Sequence, residues 1–150
     1  MALVGGVAMQ AYGSDRLTKA IDFVASGPID ALPFREELSF GGARSQAENG
    51  VEVDLILRRD EYAALYAEAL ENARPVGDLP TRVVTAEYLV ALKMAAARDK
   101  DELDLEWLLG RPGLDRKQAR AIVARHLGEH AARELDALIA EVDWRGSRPK

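Results

Sequence analysis

The chain contains no cysteine, few aromatic residues and no long apolar run, and each of these absences excludes a class of protein. Without cysteine there is no disulfide framework, no thiolate metal site and no cysteine nucleophile. No apolar run reaches the roughly 18 residues of a candidate membrane span, and the first residues lack the charged-then-apolar order of a secretion signal. We therefore expect a soluble cytoplasmic protein without a membrane partner.

The length and the charge of the chain indicate how many domains it has and which partners it can bind. A chain of 150 residues is most simply one domain, because folding at that size buries roughly 68–70% of the unfolded surface. The net charge of −5 argues against binding nucleic acid through overall charge, although it leaves room for a local basic groove. Within one domain, the sequence predicts a sheet-containing core over residues 1–84, a helical part over 85–143 and a tail over 144–150.

The first two dozen residues carry the sequence signals on which the predicted site depends. An apolar strand that ends in Gly5 and Gly6 and passes directly into a helix-like segment indicates a tight turn, whose helix start would present unpaired N–H groups to an anion such as phosphate. The helix is closed by Gly13, and the chain returns as a strand over Lys19–Val24. The alternation of that strand brings the carboxylate of Asp22 beside the glycine turn.

A second acidic strand follows. The segment Phe34–Phe40 alternates weakly, and Asn49-Gly50 is typical of a hairpin tip before the strong alternation of residues 51–57. In that last strand, Glu52 and Asp54 lie on the polar face.

The remainder of the chain predicts helices with local start and stop signals. Asp60 would cap the first of these helices, in which Tyr62 and Tyr66 favour core packing. Asp115 with Gln118 has the form of a capping box. The predicted helices run to about Asn72, from about Ala86 to Arg98, from Asp104 to Leu109, from Asp115 to about Leu127, and from about Glu129 to Val142, before a disordered tail over Arg145–Lys150. His126 and His130 bracket a helix stop at Gly128, which argues against a shared metal ion.

These features resemble the nucleotidyltransferase superfamily, in particular the minimal nucleotidyltransferases and the abortive-infection (AbiEii-like) toxins. The family pattern is Gly-Gly or Gly-Ser, a helix, Arg-x-Thr, Asp-x-Asp in the next strand and a further Asp in a later strand. The residues that match it are Gly5, Gly6, Arg16, Thr18, Asp22 and Asp54. Ala20 stands where the pattern has the first aspartate. A second similarity comprises the helix Leu89–Lys93, an arginine-aspartate turn over Arg98–Asp101 and the segment Asp104–Leu109.

The resemblance implies a fold, an activity and a set of site residues. The fold would be α/β, with a small mixed sheet of the nucleotidyltransferase type, flanking helices and a helical C-terminal half. The activity would be Mg²⁺-dependent transfer of a nucleotide from a nucleoside triphosphate to a macromolecular acceptor such as tRNA or protein, as the toxin of a toxin–antitoxin pair, with an antitoxin or a second copy as partner. By resemblance, the nucleotide would be bound by Gly5, Gly6, Arg16 and Thr18. The catalytic metal, which is two ions in an intact site, would be held by the catalytic aspartates Asp22 and Asp54. Lys93 would add a catalytic cation.

Several alternatives stay open at this stage. Ala20 is consistent with a weakened natural enzyme, with an inactivated variant, or with Glu52 as the replacement ligand. The last is least favoured, because Glu52 lies roughly 6.6 Å along the strand from Asp54. Lys93 and Asp101 also fit a surface ion pair. A non-catalytic nucleotide-binding or protein-interaction module on the same fold is the rival to the enzyme.

Overall fold

The chain divides into two compact units, Met1–Thr85 and Ala86–Lys150, which are described in turn. The structure is a computed structural model, and it describes residues 1–27, 36–38, 41–47, 49–97 and 99–148. None of the helices in these ranges is long and apolar enough to cross a membrane. The expectation that one domain spans all 150 residues stays a prediction.

The first unit holds a mixed sheet and two helices. In chain order its described elements are β1 (Ala2–Val4), α1 (Gly5–Ala11), β2 (Ala20–Val24), β3 (Glu36–Glu37), β4 (Gly42–Gln46), β5 (Glu52–Ile56), α2 (Ala63–Glu71) and β6 (Arg82–Val83). The strand order across the sheet is β3-β4-β5-β2-β1-β6. Strands β2 and β5 are parallel, as are β1 and β6, and the other neighbouring pairs are antiparallel. The predicted mixed α/β class is therefore confirmed.

Strands β4 and β5 form a hairpin around the predicted tip, although β4 (Gly42–Gln46) lies in a polar stretch that the sequence did not predict as a strand, and it separates β3 from β5. The backbone N–H of Ala47 donates to the carbonyl of Val51 at 2.9 Å, and Gly50 has a positive φ of 86°, the conformation that glycine adopts without steric cost. The hairpin tip at Asn49-Gly50 is thus confirmed. Of the predicted strand Phe34–Phe40, the structure describes β3 and Leu38, and the other positions lie outside the described residues.

Helix α2 contacts the core through a different face from the one expected. It begins three residues after Asp60, whose carboxylate accepts a hydrogen bond from the N–H of Tyr62 at 3.1 Å. Leu65 and Ala69 are its fully buried residues. Tyr62 and Tyr66 are only half-buried, so the prediction that both tyrosines pack in the core is wrong.

The second unit consists of four described helices: α3 (Ala86–Ala96), α4 (Asp99–Leu109), α5 (Arg116–Leu127) and α6 (Glu129–Ser147). The capping residue Asp115 is confirmed, because its carboxylate accepts the N–H of Gln118 at 3.0 Å. The stop at Gly128 is also confirmed, since this glycine caps α5 with a φ of 96°.

Two helix boundaries in this unit differ from the expectation. Helix α4 begins at Asp99, so Asp101 lies inside a helix and not in a turn, while Arg98 lies outside the described residues. Helix α6 continues to Ser147, so the disordered tail is wrong for residues 145–147, and residues 149–150 lie outside the described ranges. In the extension, Arg145 forms ion pairs with Glu141 one turn earlier and with Glu106 of α4.

Candidate active site

Two aspartates meet on one face of the sheet. Asp22 in β2 and Asp54 in β5 are direct partners in the register of these parallel strands. Neighbouring strands lie about 4.7–4.9 Å apart, and partnered residues point to the same face. Asp54 is buried, with a side chain that is 13% exposed, and Asp22 is half-buried. We call these two residues the carboxylate pair.

The glycine turn, Gly5-Gly6, closes directly on this pair. Gly5 is the first residue of α1 and has a φ of 64°, and a Cβ atom added to it would overlap Oδ2 of Asp22. A Cβ atom on Gly6 would lie 2.6 Å from Cβ of Thr18 and 3.0 Å from Nη1 of Arg16. Only glycine allows so close an approach, so the turn holds Asp22 in place as well as leaving the backbone uncovered.

The loop between α1 and β2 holds Arg16 and Thr18 at the turn. The carbonyl of Arg16 accepts a hydrogen bond from Nε2 of Gln10 at 2.8 Å, and its N–H donates to Oγ of Ser14 at 3.2 Å. The hydroxyl of Thr18 donates to the carbonyl of Ala20 at 3.1 Å. The structure thus brings together Gly5, Gly6, Arg16, Thr18 and Asp22, with Asp54 on the next strand.

Sequence reasoning missed one residue of this cluster, Arg44. It lies in β4 as the register partner of Asp54, with Nε 2.8 Å from Oδ1 and Nη2 3.2 Å from Oδ2. This is a bidentate salt bridge between the guanidinium and the carboxylate, here called the Arg44 fork, and it is stronger and more specific in geometry than a single hydrogen bond. The only signal for it in the sequence is the hairpin, which sets the register of β4 against β5.

The position of Ala20 is also defined by the register. Ala20 is the partner of Glu52 in β5, two residues along the strands from the carboxylate pair and on the same face of the sheet. Glu52 lies directly opposite Ala20, at about the spacing of neighbouring strands, which is closer than its separation from Asp54 along β5. Glu52 is exposed and is therefore accessible to an ion or a ligand.

The donor set fits one Mg²⁺ ion better than two. Mg²⁺ prefers oxygen ligands and is usually held by one or two carboxylates together with substrate phosphates, which the carboxylate pair can supply. Within the described ranges, no cluster of three or more potential metal-ligating side chains occurs. Ala20, at the position where the resembled pattern has an aspartate, has no side-chain oxygen to offer to an ion.

Lys93 belongs to a buried cluster in the helical unit. Its Nζ lies 3.2 Å from Oδ1 of Asp101 and 2.7 Å from Oδ2 of Asp104, and the exposed fractions of the three side chains are 6%, 1% and 3%. The surface ion pair considered from the sequence is therefore wrong, because the pair is buried and contains a second aspartate. The catalytic role implied for Lys93 stays a prediction.

A separate cavity of about 440 Å³ opens where β2 and β5 end. It is lined by Ala25–Gly27 after β2, by Leu57–Arg59 after β5, and by one face of α2 that includes Tyr66 and Leu70. The guanidinium of Arg58 lies 5.2 Å from the ring centroid of Tyr66 and pairs with Asp60 at 2.7 Å. Neither member of the carboxylate pair is among its described lining residues, so this cavity is distinct from the site.

Comparison with known proteins does not identify a family. No protein-family model matches the chain, and no curated protein matches it. The resemblance to nucleotidyltransferases therefore stays a prediction from the residues of the sequence.

Proposed function

We propose that the first unit binds a nucleoside triphosphate with Mg²⁺ and transfers its nucleotidyl group to a macromolecular acceptor. The observation that carries the proposal is the placement of the carboxylate pair. Asp22 and Asp54 are side by side on parallel strands, and the glycine turn lies against Asp22. This is the arrangement that the resemblance to a nucleotidyltransferase requires of these residues.

In the proposed reaction an acceptor oxygen forms a bond to the α-phosphorus of the triphosphate, and the bond to the leaving pyrophosphate breaks. Mg²⁺, when bound, supplies charge neutralisation for the attacking and leaving oxygens. Asp22 and Asp54 would hold the ion. Arg16, whose guanidinium lies beside Gly6, is placed to donate to phosphate oxygens, for which a planar fork is well suited.

The acceptor and the partner are proposed from the resemblance alone. They are tRNA or protein as acceptor, and an antitoxin or a second copy of the chain as partner, as in toxin–antitoxin systems. The role of Lys93 as an added cation belongs to the same part of the proposal.

A second candidate function is nucleotide binding without transfer. It is favoured by Ala20, which removes one expected ligand, and by the fork of Arg44 on Asp54, which occupies another. Such a protein would bind a triphosphate and release no pyrophosphate.

The experiment that tests the proposal is titration with each of the four nucleoside triphosphates and Mg²⁺, with affinity and pyrophosphate release followed together. We expect Ala20→Asp to bind more tightly than the unaltered chain and to release pyrophosphate, because it restores the missing carboxylate. Adding Asp22→Asn to that variant should abolish both gains. Glu52→Gln in the unaltered chain shows whether Glu52 already serves as the replacement ligand.

Each outcome favours a different function. Turnover that depends on both residue 20 and Asp22 supports the transferase. Mg²⁺-dependent binding without pyrophosphate release, even in Ala20→Asp, supports the binding module. If neither protein binds any triphosphate, the proposed function is wrong and the likeness concerns the fold alone.

A further inference from the structure

Arg44 bonds both carboxylate oxygens of Asp54, the atoms that would bind a metal ion. The two strands β4 and β5 place the residues as direct partners, and the guanidinium spans both carboxylate oxygens at 2.8 and 3.2 Å. The side chain of Asp54 is 13% exposed, whereas that of Arg44 is 38% exposed. The aspartate is therefore the more deeply buried partner, and the arginine side chain is the more accessible of the two.

The carboxylate pair needs a positive partner in any state. Two carboxylates on neighbouring strands repel each other, and their mutual repulsion is stronger than in water because Asp54 is buried. In the described structure the fork of Arg44 supplies positive charge directly to Asp54. The fork therefore offsets the charge of Asp54 where no divalent cation is bound.

A divalent cation and the Arg44 fork would compete for the carboxylate of Asp54. Mg²⁺ binds carboxylate oxygens at about 2.0–2.1 Å and demands near-ideal geometry. An ion at that distance from Oδ1 or Oδ2 of Asp54 would stand within a few ångströms of a guanidinium that is bonded to the same two atoms, so the like charges would repel.

We propose that Arg44 is the resident counter-ion of the carboxylate pair, and that a divalent cation binds Asp54 only by displacing it. Arg44 then sets the cation affinity of the site, and the freed guanidinium becomes available to an anion that arrives with the metal. The inference rests on the proposed function, in which the carboxylate pair is the cation site.

The first test measures the binding of Mn²⁺ alone, by electron paramagnetic resonance, to the full chain and to Arg44→Gln. We expect Arg44→Gln to bind Mn²⁺ about tenfold more tightly or better, the order expected when a unit charge near the ion is removed. Arg44→Lys, which keeps the charge but loses the fork, should show a smaller gain. Arg82→Gln, an exposed arginine in the edge strand β6, is the charge-matched control and should leave the affinity unchanged.

A second readout uses the unaltered chain and does not depend on how the variants fold. In this experiment the chain is titrated with Mg²⁺, which is diamagnetic, and the NMR resonance of the Nε–Hε group of Arg44 is followed. The resonance should move toward the position of an arginine without an ion-pair partner as Mg²⁺ binds. Asp54→Asn should abolish this change, because it removes the charge over which the two cations compete.

The outcomes separate this inference from the proposed function. If the full chain and Arg44→Gln bind Mn²⁺ equally and Asp54→Asn abolishes binding, Arg44 is no competitor, although the cation site stands. If neither protein binds Mn²⁺, both the inference and the metal-dependent part of the proposed function are wrong. Tighter binding by Arg44→Gln together with the Mg²⁺-induced shift of Arg44 supports the exchange.

Discussion

Replacing Lys93 by methionine should strongly destabilise the helical unit. Lys93 is the cation between Asp101 and Asp104, at 3.2 and 2.7 Å, and all three side chains are nearly inaccessible. Removal of one partner from a buried ion pair typically costs about 3–5 kcal/mol, because the remaining charge is left uncompensated. Here two buried carboxylates would lose this cation, so we expect the cost of Lys93→Met to fall in that range.

Tryptophan fluorescence is a suitable assay for this loss. Both tryptophans of the chain, Trp107 in α4 and Trp144 in α6, lie in the helical unit, so denaturant unfolding followed by their emission reports that unit. Arg120→Gln, which removes an exposed arginine from the same unit, is the control and should have a much smaller effect.

A triple variant separates charge from packing in the same cluster. Lys93→Met combined with Asp101→Asn and Asp104→Asn removes the charges of all three side chains, and it should recover part of the lost stability. A cost below about 1 kcal/mol for Lys93→Met alone would contradict the argument, since that is the size of an exposed pair. Lys93 would then be dispensable for folding.

Two further predictions concern the glycine turn and the surface of the helical unit. Gly5→Ala should destabilise the first unit by at least about 1–2 kcal/mol, the cost of a left-handed residue with a Cβ, and should displace the carboxylate of Asp22. Gly77→Ala is the matched control, because Gly77 has a similar positive φ of 54° and open space around it. Gly77→Ala therefore tests backbone strain alone, and faster hydrogen exchange of the β2 amides in Gly5→Ala only would report the overlap with Asp22. The hydrogen bond from Arg116 lowers the pKa of Asp143. The stability that this pair contributes is therefore fully present above the pKa of Asp143 in the unfolded state. It is lost as the pH falls through the lower pKa of the folded state. In Arg116→Gln, a carboxyl ¹³C titration should show the pKa of Asp143 rising toward its ordinary value, and an unchanged pKa would contradict this cause.

Elements with local signals could be predicted from the sequence, and elements fixed by distant contacts could not. The cap at Asp115, the stop at Gly128 and the hairpin at Asn49-Gly50 depend on a few neighbouring residues, and all three are confirmed. The early start of α4 depends on pairing with another helix, because Asp101 and Asp104 both contact Lys93 of α3. No pattern within α4 itself carries that information.

The same distinction applies to the candidate site. Alternation along the strands was sufficient to place Asp22 and Asp54 on polar faces, but their alignment follows from the parallel pairing of β2 with β5. Arg44 was missed because its role depends on the register of a third strand. In β4 that register is accompanied by a close backbone approach, since a Cβ atom on Gly42 would overlap the carbonyl oxygen of Leu55.

The place of Ala20 in the sheet bears on how such a site changes in evolution. Ala20 is half-exposed and pairs with Glu52 through the backbone of β2 and β5, so residue 20 contributes little to the core. An exchange between alanine and aspartate there alters the charge of the face while the strands keep their pairing. Because the two residues are separated by a single base in the genetic code, a lineage can lose or regain a carboxylate at this position without having to refold the scaffold around it.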